Sequence, residues 1–589
     1  MIGKIIGARD NLIEIKLEID VTKIGNLINY HVIFDLEDNS KLVGEIRDIN
    51  TETALVSLVG EIRDEIFNSG VSKRPSFNST CRILNKEELK IILGENTLVG
   101  KKTLAMGKIP LYGDYSLKVD INDFFSNHFA IFGNTGSGKS HSIARILQNL
   151  YHTTDSVPIN SNVFLFDAYG EYHRALSKIS DHSNKLRYKA YTTNLTFPDS
   201  EVLKIPLWLL SVDDIALLLG ADNHVQLPII EKALRLVGIF AKEEDSVITY
   251  KNDIIARAVL EILYSGNTPS QIRDQIFAVL TAFNTKDLSL ETKLVQPGYI
   301  RTLRQCLIID KDGKLSEMQL VTEFISSFIK EGLELSLPDG TFVYTLENLK
   351  EAFDFALISE GILKSDKVYD YANVLKVRLH SLINSDNRHF FSYNNYISKN
   401  EYVKELLTSP DGIKAQIVNF NINYIDDRLA KVITKIYSKM LYDYTVSLED
   451  RASFPIHIIL EEAHRYVQND NDTFLIGYNI FDRITKEGRK YGIILGLISQ
   501  RPSELSETSM SQCSNFLIFR MVHPQDSSYI RNMVPNITSE IVDKLKILQP
   551  GNCIAFGSAF KLPTLLRFEM PDPAPKSSNA DIAINWYQE

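Results

Sequence analysis

The sequence has few cysteines, and they show no paired spacing. Its 589 residues include four, at Cys81, Cys306, Cys513 and Cys553, far apart in the chain. Zinc sites and disulfide frameworks are marked by cysteines at short, recurring spacings. The sequence therefore gives no sign of either, and a reducing cytosol is the expected environment.

Long apolar runs are also missing. No stretch approaches the roughly 18 to 20 apolar residues that a membrane span needs, and residues 1–11 lack the apolar centre of a signal peptide. We therefore expect a soluble, cytoplasmic protein that has no membrane partner.

An excess of positive charge is absent as well. The net charge is −10, with 44% hydrophobic and 23% charged residues, which is the composition of an ordinary globular protein. A surface that binds nucleic acid indiscriminately is therefore not expected. A basic stripe inside a channel stays possible, because charges are screened over only about 8–10 Å.

What the sequence does contain is a phosphate-binding loop. Gly133-Asn-Thr-Gly-Ser-Gly-Lys-Ser140 follows the apolar run 128–132 and precedes a predicted helix over 142–150. In this spacing backbone N–H groups surround phosphate oxygens, Lys139 reaches the β- and γ-phosphates, and the Ser140 hydroxyl holds Mg²⁺. We expect ATP or a close relative to bind at Gly133, Asn134, Thr135, Gly136, Ser137, Gly138, Lys139, Ser140 and His141.

A second motif places two carboxylates at the end of an apolar strand. Ile456-His-Ile-Ile-Leu-Glu-Glu-Ala-His464 has the Walker B pattern. Paired with a phosphate loop, it supplies one carboxylate that orders Mg²⁺ and one that polarises the attacking water. We assign Glu461 to the metal and Glu462 to the water. An ordinary helix start is the alternative.

Another acidic turn follows the predicted strand that starts at Val163. Asp167 and Glu171 would lie at the carboxyl edge of a parallel sheet, where ligands bind. We expect both to reach Mg²⁺ or its water shell, so the predicted metal residues are Ser140, Glu461, Asp167 and Glu171. The alternative for Asp167 is a helix N-cap.

Two further residues complete the predicted catalytic set of Lys139, Glu461, Glu462, Gln500 and Arg489. Gln500 follows the strand 493–499, where an amide beside Walker B can sense the γ-phosphate. Arg489 is a candidate arginine finger that acts on a neighbouring subunit's nucleotide. A surface arginine at the carboxyl end of its helix is the alternative for Arg489.

The chain is too long for one core, and its patterns predict five segments of an α/β protein. Residues 1–99 carry short alternating strands that predict a small β-barrel, used for assembly or partner docking. Residues 100–210 and 412–570 carry the nucleotide motifs, and 211–411 has helical periods that predict an inserted helical subdomain. The proline-rich tail 571–589 is not expected to fold alone. One helix is predicted from Asp472 to Arg489.

Together these motifs resemble the HerA family within the larger FtsK/HerA group of ATPases and DNA translocases. The resemblance rests on the phosphate loop, Asp167–Tyr172, Leu460–His464, Lys486–Gly492 with Ser499–Pro502, and Leu548–Gly551. It implies a RecA-like P-loop ATPase core with an N-terminal barrel and a helical insertion, in a hexameric ring around double-stranded DNA. ATP would lie between subunits, so Arg489 would act in trans.

Two positions depart from the family pattern. The usual Asp at the first acidic Walker B position is Glu461, which is one methylene longer. Some relatives carry an arginine before the phosphate-loop strand, whereas no arginine lies between Lys118 and Lys139 here.

The resulting hypothesis is a ring-forming ATPase that translocates on or unwinds double-stranded DNA. The resemblance implies a separate nuclease or NAD-consuming Sir2-type effector, in antiphage defence or DNA end processing. The alternative is an ATP-dependent scaffold that switches such a partner with little translocation. A transporter-type ATPase is disfavoured because no Leu-Ser-Gly-Gly signature is present.

The DNA contacts are predicted from a group of basic residues after the acidic turn. They are expected to line the channel through phosphate contacts, although an exposed loop would look the same. The candidates are Arg174, Lys178, Lys185, Arg187 and Lys189.

Overall fold

The structure is a computed structural model that describes residues 2–20, 27–152, 156–196, 200–241, 245–333, 343–360, 366–533, 539–576 and 582–587. The chain divides into two compact units. The first contains 1–201, 403–470 and 479–589, and the second contains 202–402 and 471–478. The predicted insertion, 211–411, overlaps the second unit.

The N-terminal region of the first unit is a closed β-barrel. Its strands are β1 (Gly3–Arg9), β2 (Leu12–Leu17), β3 (His31–Asp35), β4 (Lys41–Ile49), β5 (Thr53–Arg63), β6 (Ile66–Ser69) and β7 (Thr80–Ile83). Pairing runs β2-β1-β7-β3-β4-β5, and β5 pairs again with β2, which closes six strands, while β6 extends β5. Alternating residues such as Ile13, Ile15 and Val56 fill the interior. The predicted barrel is confirmed.

The first part of the core follows the barrel and the short helix Lys86–Ile92. Its strands are β8 (Thr103–Ile109), β9 (Tyr115–Asp120), β10 (Phe129–Phe132), β11 (Val163–Asp167), β12 (Tyr188–Thr192) and β13 (Glu201–Val202). Its helices are Ile121–Phe125, Lys139–Tyr151 and His173–Leu176. We call Lys139–Tyr151 the phosphate-loop helix.

The region between the two parts of the core is mainly helical, with one hairpin. The hairpin, β14 (Lys293–Gln296) and β15 (Tyr299–Thr302), is a β element that the sequence patterns did not predict. Helix starts carry local signals; for example, Thr268 and Gln271 form a capping box around Pro269. The helices are Val212–Leu218, Gln226–Phe240, Asp245–Leu263, Pro269–Ala282, Leu303–Cys306, Met318–Ser326, Leu346–Glu360, Asp366–Ile383 and Lys399–Leu407.

The second part of the core returns to strands. They are β16 (Ile417–Asn421), β17 (Ile456–Leu460), β18 (Ile493–Ser499), β19 (Asn515–Phe519), β20 (Asn552–Gly557) and β21 (Phe560–Arg567). The helices are Asp427–Val446, Asp472–Ile476, Ile480–Glu487, Glu507–Ser511, Pro524–Met533, Ser539–Lys546 and Ile582–Trp586.

The single helix predicted from Asp472 to Arg489 is wrong. The helix Asp472–Ile476 ends at Gly477, whose φ is +86°, and a new helix starts at Ile480. Asn479 caps that second helix by accepting N–H bonds from Phe481 and Asp482. A side-chain cap and a left-handed glycine override the apolar periodicity.

One twelve-stranded sheet organises the core. Its order is β13-β12-β16-β11-β17-β18-β10-β19-β20-β21-β8-β9. The strands from β12 to β19 are parallel to their neighbours, whereas β19 to β9 pair antiparallel. The central strands are apolar runs buried on both faces, as expected for a covered parallel sheet.

The tail starts on the chain's own phosphate-loop helix. Gln148 accepts the Asp572 N–H at 3.0 Å and donates to the Pro573 carbonyl at 2.9 Å. Lys576 N–H donates to the Glu171 carbonyl at 2.9 Å. The tail is therefore ordered by the core up to Lys576. None of the described helices is long and apolar enough to cross a membrane.

Candidate functional site

The phosphate loop joins β10 to its helix through three glycines in conformations that side chains rarely adopt. The φ angles are +155° at Gly133, +72° at Gly136 and +111° at Gly138. A Cβ on Gly138 would lie 3.0 Å from the backbone nitrogen of Gly551, which itself donates to the Ser137 carbonyl at 2.9 Å. The turn that ends at Gly551 thus packs on the loop and supports its shape.

Lys139 lies inside the loop and not in solvent. Lys139 is 7% exposed, and its Nζ donates to the Gly133 carbonyl at 2.8 Å and to the Asn134 carbonyl at 3.1 Å. Burial lowers the pKa of Lys139, while the charges of Glu462 and Glu461 oppose that change. The ammonium is held at the place where phosphate oxygens are expected.

The first Walker B carboxylate faces the end of the phosphate loop. Glu461 Oε1 lies 3.3 Å from Ser140 Oγ, and its Oε2 accepts the Ala168 N–H at 3.2 Å. Burial raises the pKa of Glu461 well above its usual value, and the charges of Asp167 and Glu171 raise it further. The two predicted metal residues Ser140 and Glu461 are therefore brought together.

The second Walker B carboxylate is buried and incompletely bonded. Glu462 has a left-handed φ of +48°, is 8% exposed, and its Oε2 has no hydrogen-bond partner. Burial raises the pKa of Glu462, while Lys139 and the Gln500 N–H lower it. His464 Nδ1 lies 3.3 Å from that Oε2 and 3.1 Å from Ser499 Oγ. An unsatisfied buried carboxylate oxygen needs a partner, such as a water or a hydrated cation.

Asp167 is directed into its own turn. Its carboxylate accepts the N–H groups of Glu171 and Tyr172, each at 3.0 Å, and lies 3.3 Å from Asn419 Nδ2. Asp167 is not a helix N-cap, because the N-cap of the helix His173–Leu176 is Tyr172. Burial raises the pKa of Asp167. Metal contact by Asp167 and Glu171 stays a prediction.

Gln500 lies next to the phosphate loop. Its Oε1 accepts the Thr135 hydroxyl at 2.6 Å. This follows from the sheet order, since β18 is the immediate neighbour of β10 and Phe132 pairs with Ser499. Both side chains line a cavity of about 660 Å³ at this edge of the sheet.

Arg489 lies at the opposite edge of the same sheet. It belongs to the 3₁₀ turn Gly488–Tyr491, before β18, and is exposed. Burial and, to a smaller extent, the charge of Arg489 lower the pKa of His128 to about 4, which indicates that this guanidinium lies near the start of β10. A seven-residue strand is about 20 Å long. Arg489 therefore does not contribute to the phosphate site of its own chain.

The basic residues predicted to contact DNA separate into two groups. Lys189 is buried and donates to the carbonyls of Glu405 and Thr408, at 3.0 and 2.8 Å. Arg187 pairs with Asp411 at 2.6 Å and bonds two backbone carbonyls. The prediction that Lys189 lines a channel is wrong, because its charge is used inside the fold, and Arg187 is engaged in the same way. Arg174, Lys178 and Lys185 are exposed.

Two residues at the site had no role in the sequence analysis. His464 closes on Glu462, and Arg520 follows β19 beside the phosphate loop, where its carbonyl accepts the Asn134 N–H at 2.9 Å. Each of these residues is polar and follows a parallel strand closely, at the sheet edge where ligands bind. The sequence does not give the order of the strands, so it could not show that these residues lie beside the phosphate loop.

The donor set fits a magnesium ion that shares its coordination with a nucleotide. The described residues contain no group of three or more His, Cys, Asp or Glu side chains that holds a metal alone. Mg²⁺ is usually held by one or two protein oxygens together with phosphates and waters. Ser140 Oγ and Glu461, which lie 3.3 Å apart, match that requirement.

The comparisons with known proteins agree with this geometry. A family model described as "Helicase HerA, central domain" matches residues 104–441. A "DNA double-strand break repair helicase HerA" from Pyrococcus furiosus is 22% identical over 547 residues, covering 90% of this chain and 80% of the relative. A probable helicase from Methanocaldococcus jannaschii is 23% identical over 578 residues, covering 96% and 84%.

Two solved structures are also similar to this chain, at lower identity. The plasmid coupling protein TrwB in complex with a non-hydrolysable GTP analogue is 10% identical, with a TM-score of 0.43, covering 84% of this chain and 95% of that one. VirB4 of Thermoanaerobacter pseudethanolicus is 12% identical, with a TM-score of 0.40, covering 80% and 96%.

Proposed function

Because the chain belongs to the HerA helicase family, we propose that it is an ATP-hydrolysing hexameric ring motor that translocates on or unwinds double-stranded DNA. The proposal is carried by the pair Glu461 and Glu462 beside the phosphate loop, where one buried Glu462 oxygen makes no hydrogen bond and has His464 Nδ1 3.3 Å away. The relatives named as helicases support DNA as the track.

The residues divide the work of phosphoryl transfer. Lys139 and the loop N–H groups hold the phosphates, Ser140 and Glu461 hold Mg²⁺, and Glu462 accepts a proton from the attacking water. The metal, when bound, neutralises charge on the β- and γ-phosphate oxygens. Gln500, which accepts a hydrogen bond from the Thr135 hydroxyl, would respond to the γ-phosphate.

ATPase turnover with and without duplex DNA tests this assignment. Lys139→Ala and Glu462→Gln are expected to lower kcat by at least about a hundredfold, the first by loss of phosphate contacts and the second by loss of the base. Glu462→Gln is expected to keep ATP affinity, since it changes few atoms. Normal turnover in Glu462→Gln would contradict the assignment.

Arg489 is proposed to complete the site of a neighbouring subunit. The support is its exposure and its position at the sheet edge far from its own phosphate loop. Mixing inactive Lys139→Ala with inactive Arg489→Ala protein tests it, because roughly a quarter of randomly formed interfaces then contain both intact residues. Recovery of activity on mixing is expected. Mixtures that stay as inactive as either variant, in rings of confirmed mixed composition, contradict a role in trans.

A separate partner enzyme is also part of the proposed function. We propose that a separate nuclease or Sir2-type NAD-consuming enzyme docks on the barrel, in antiphage defence or DNA end processing. Its support is the resemblance stated above and the closed barrel at the N-terminus. A candidate partner that binds the full chain and still binds after substitution of the exposed barrel residues Ile6 and Ile66 would contradict docking there.

A further inference from the structure

Arg520 is fixed against the phosphate loop by the backbone on both sides of it. It directly follows β19, which pairs with β10 in register, Ile518 opposite Phe132. Its carbonyl accepts the Asn134 N–H at 2.9 Å. A Cβ on Gly133 would lie 2.6 Å from the Cβ of Phe519, so loop and strand end are in close contact.

The guanidinium of Arg520 has a buried nitrogen that no described residue satisfies. Its Nε is buried and makes no hydrogen bond. Within the part of the chain that the structure describes, Arg520 forms no ion pair, whereas neighbouring Arg501 pairs with Glu504 at 2.8 Å. An arginine stays charged at any relevant pH, and a buried donor without a partner is costly. The site is therefore incomplete without an anion.

The cavity beside the loop identifies the anion. Arg520 lines the same space, about 660 Å³, as Asn134, Thr135 and Gln500. The carboxylate of Asp526 in that cavity is already engaged, because it accepts from the Ser503 hydroxyl at 2.7 Å and faces His523 at 3.2 Å. A phosphoryl group bound at the end of the loop would be an anion next to this space.

We propose that Arg520 contacts the γ-phosphate of ATP bound by its own subunit. The inference rests on the proposed function and adds a catalytic residue that acts in cis, distinct from Arg489 on the neighbour. It also accounts for the lack of an arginine between Lys118 and Lys139, because the positive charge arrives from the strand on the other side of β10. Arg520 then distinguishes ATP from ADP.

The test compares the affinity of Arg520→Ala for a non-hydrolysable ATP analogue and for ADP, with Mg²⁺, in the full chain. Affinity for the ATP analogue is expected to fall roughly ten- to hundredfold, the value of a charge-assisted contact, with ADP affinity within about twofold. Arg483→Ala is the matched control, because this arginine is ion-paired with Glu487 outside that cavity, and it is expected to change neither affinity. Arg520→Gln, which keeps the first methylenes and a polar end but removes the charge, is expected to repeat the result, and it replaces the alanine variant if that protein does not fold.

Two results overturn the inference. Equal losses for ATP analogue and ADP show that Arg520 only supports the loop, and unchanged affinities show that it makes no contact. The nucleotide affinity of Lys139→Ala shows whether the proposed function fails as well. If this variant binds nucleotide weakly, the phosphate loop is the nucleotide site and the proposed function is retained even when the inference about Arg520 is wrong. If Lys139→Ala also binds normally, the nucleotide site itself is wrong.

Discussion

Replacing Gly138 by alanine tests how strictly the phosphate loop is shaped by its neighbours. A side chain at a φ of +111° costs roughly 1–3 kcal/mol. The new Cβ would also lie 3.0 Å from the nitrogen and 3.1 Å from the Cα of Gly551, and these backbone atoms cannot rotate away. The free loop relieves the strain by changing conformation, and the nucleotide must restore it. We therefore expect ATP affinity to fall roughly tenfold to a hundredfold, at about 1.4 kcal/mol for each factor of ten.

Gly136→Ala is the matched control in the same loop. Its φ of +72° is left-handed, but no atom lies within 4 Å of an added Cβ, so the cost is about 1–2 kcal/mol. Calorimetric titration with ATP and Mg²⁺ gives both affinities, and thermal unfolding shows that both proteins are folded. A Gly136→Ala loss equal to or larger than that of Gly138→Ala would refute the reasoning that contact with Gly551 shapes the loop.

Three further predictions follow from burial and chemistry. Burial lowers the pKa of His31 to about 4 from an ordinary 6.5, so the folded state binds fewer protons than the unfolded state between these two pH values. The free energy of unfolding should therefore fall as the pH drops from 6.5 to 4, by up to about 3 kcal/mol. The variant His31→Gln should flatten this dependence of stability on pH. Gly496→Ala places a Cβ 2.3 Å from the Phe129 ring and should lower stability by about 1–3 kcal/mol in urea unfolding, an expectation that an unchanged midpoint would contradict. Chelating Mg²⁺ should abolish turnover and Mn²⁺ should restore it, because Glu461 and its partners are oxygen ligands; turnover that persists in chelator would exclude this metal role.

The features that the sequence predicted well are those encoded locally. The phosphate loop needs one strand, three glycines and one helix in immediate succession, and the Walker B carboxylates directly follow an apolar strand. The alternating apolar residues of β2 and β5 likewise predict strands of the barrel, because each of these strands carries its own inside and outside face. Local patterns of this kind can be recognised without knowing which other elements pack against them.

The features that were missed depend on residues distant in the chain. Lys189 looks basic and accessible in sequence, yet Glu405 and Thr408 supply its acceptors from more than 200 positions away. Arg520 gains its meaning only because β19 lies beside β10. The break at Gly477 was hidden by apolar residues that fit a helical period on both sides. The order of strands and the hydrogen-bond partners of side chains depend on the tertiary structure, and the periodicity of apolar residues does not predict them.

We expect ATP turnover to move this protein along duplex DNA. The most direct measurement is displacement of a third strand from a triplex placed on a long duplex, with Glu462→Gln and Lys139→Ala as matched inactive proteins. Displacement is expected to require ATP and Mg²⁺, to grow with protein concentration and to be absent in both variants. Turnover stimulated by DNA without any displacement of the third strand would contradict translocation and would favour an ATP-driven switch.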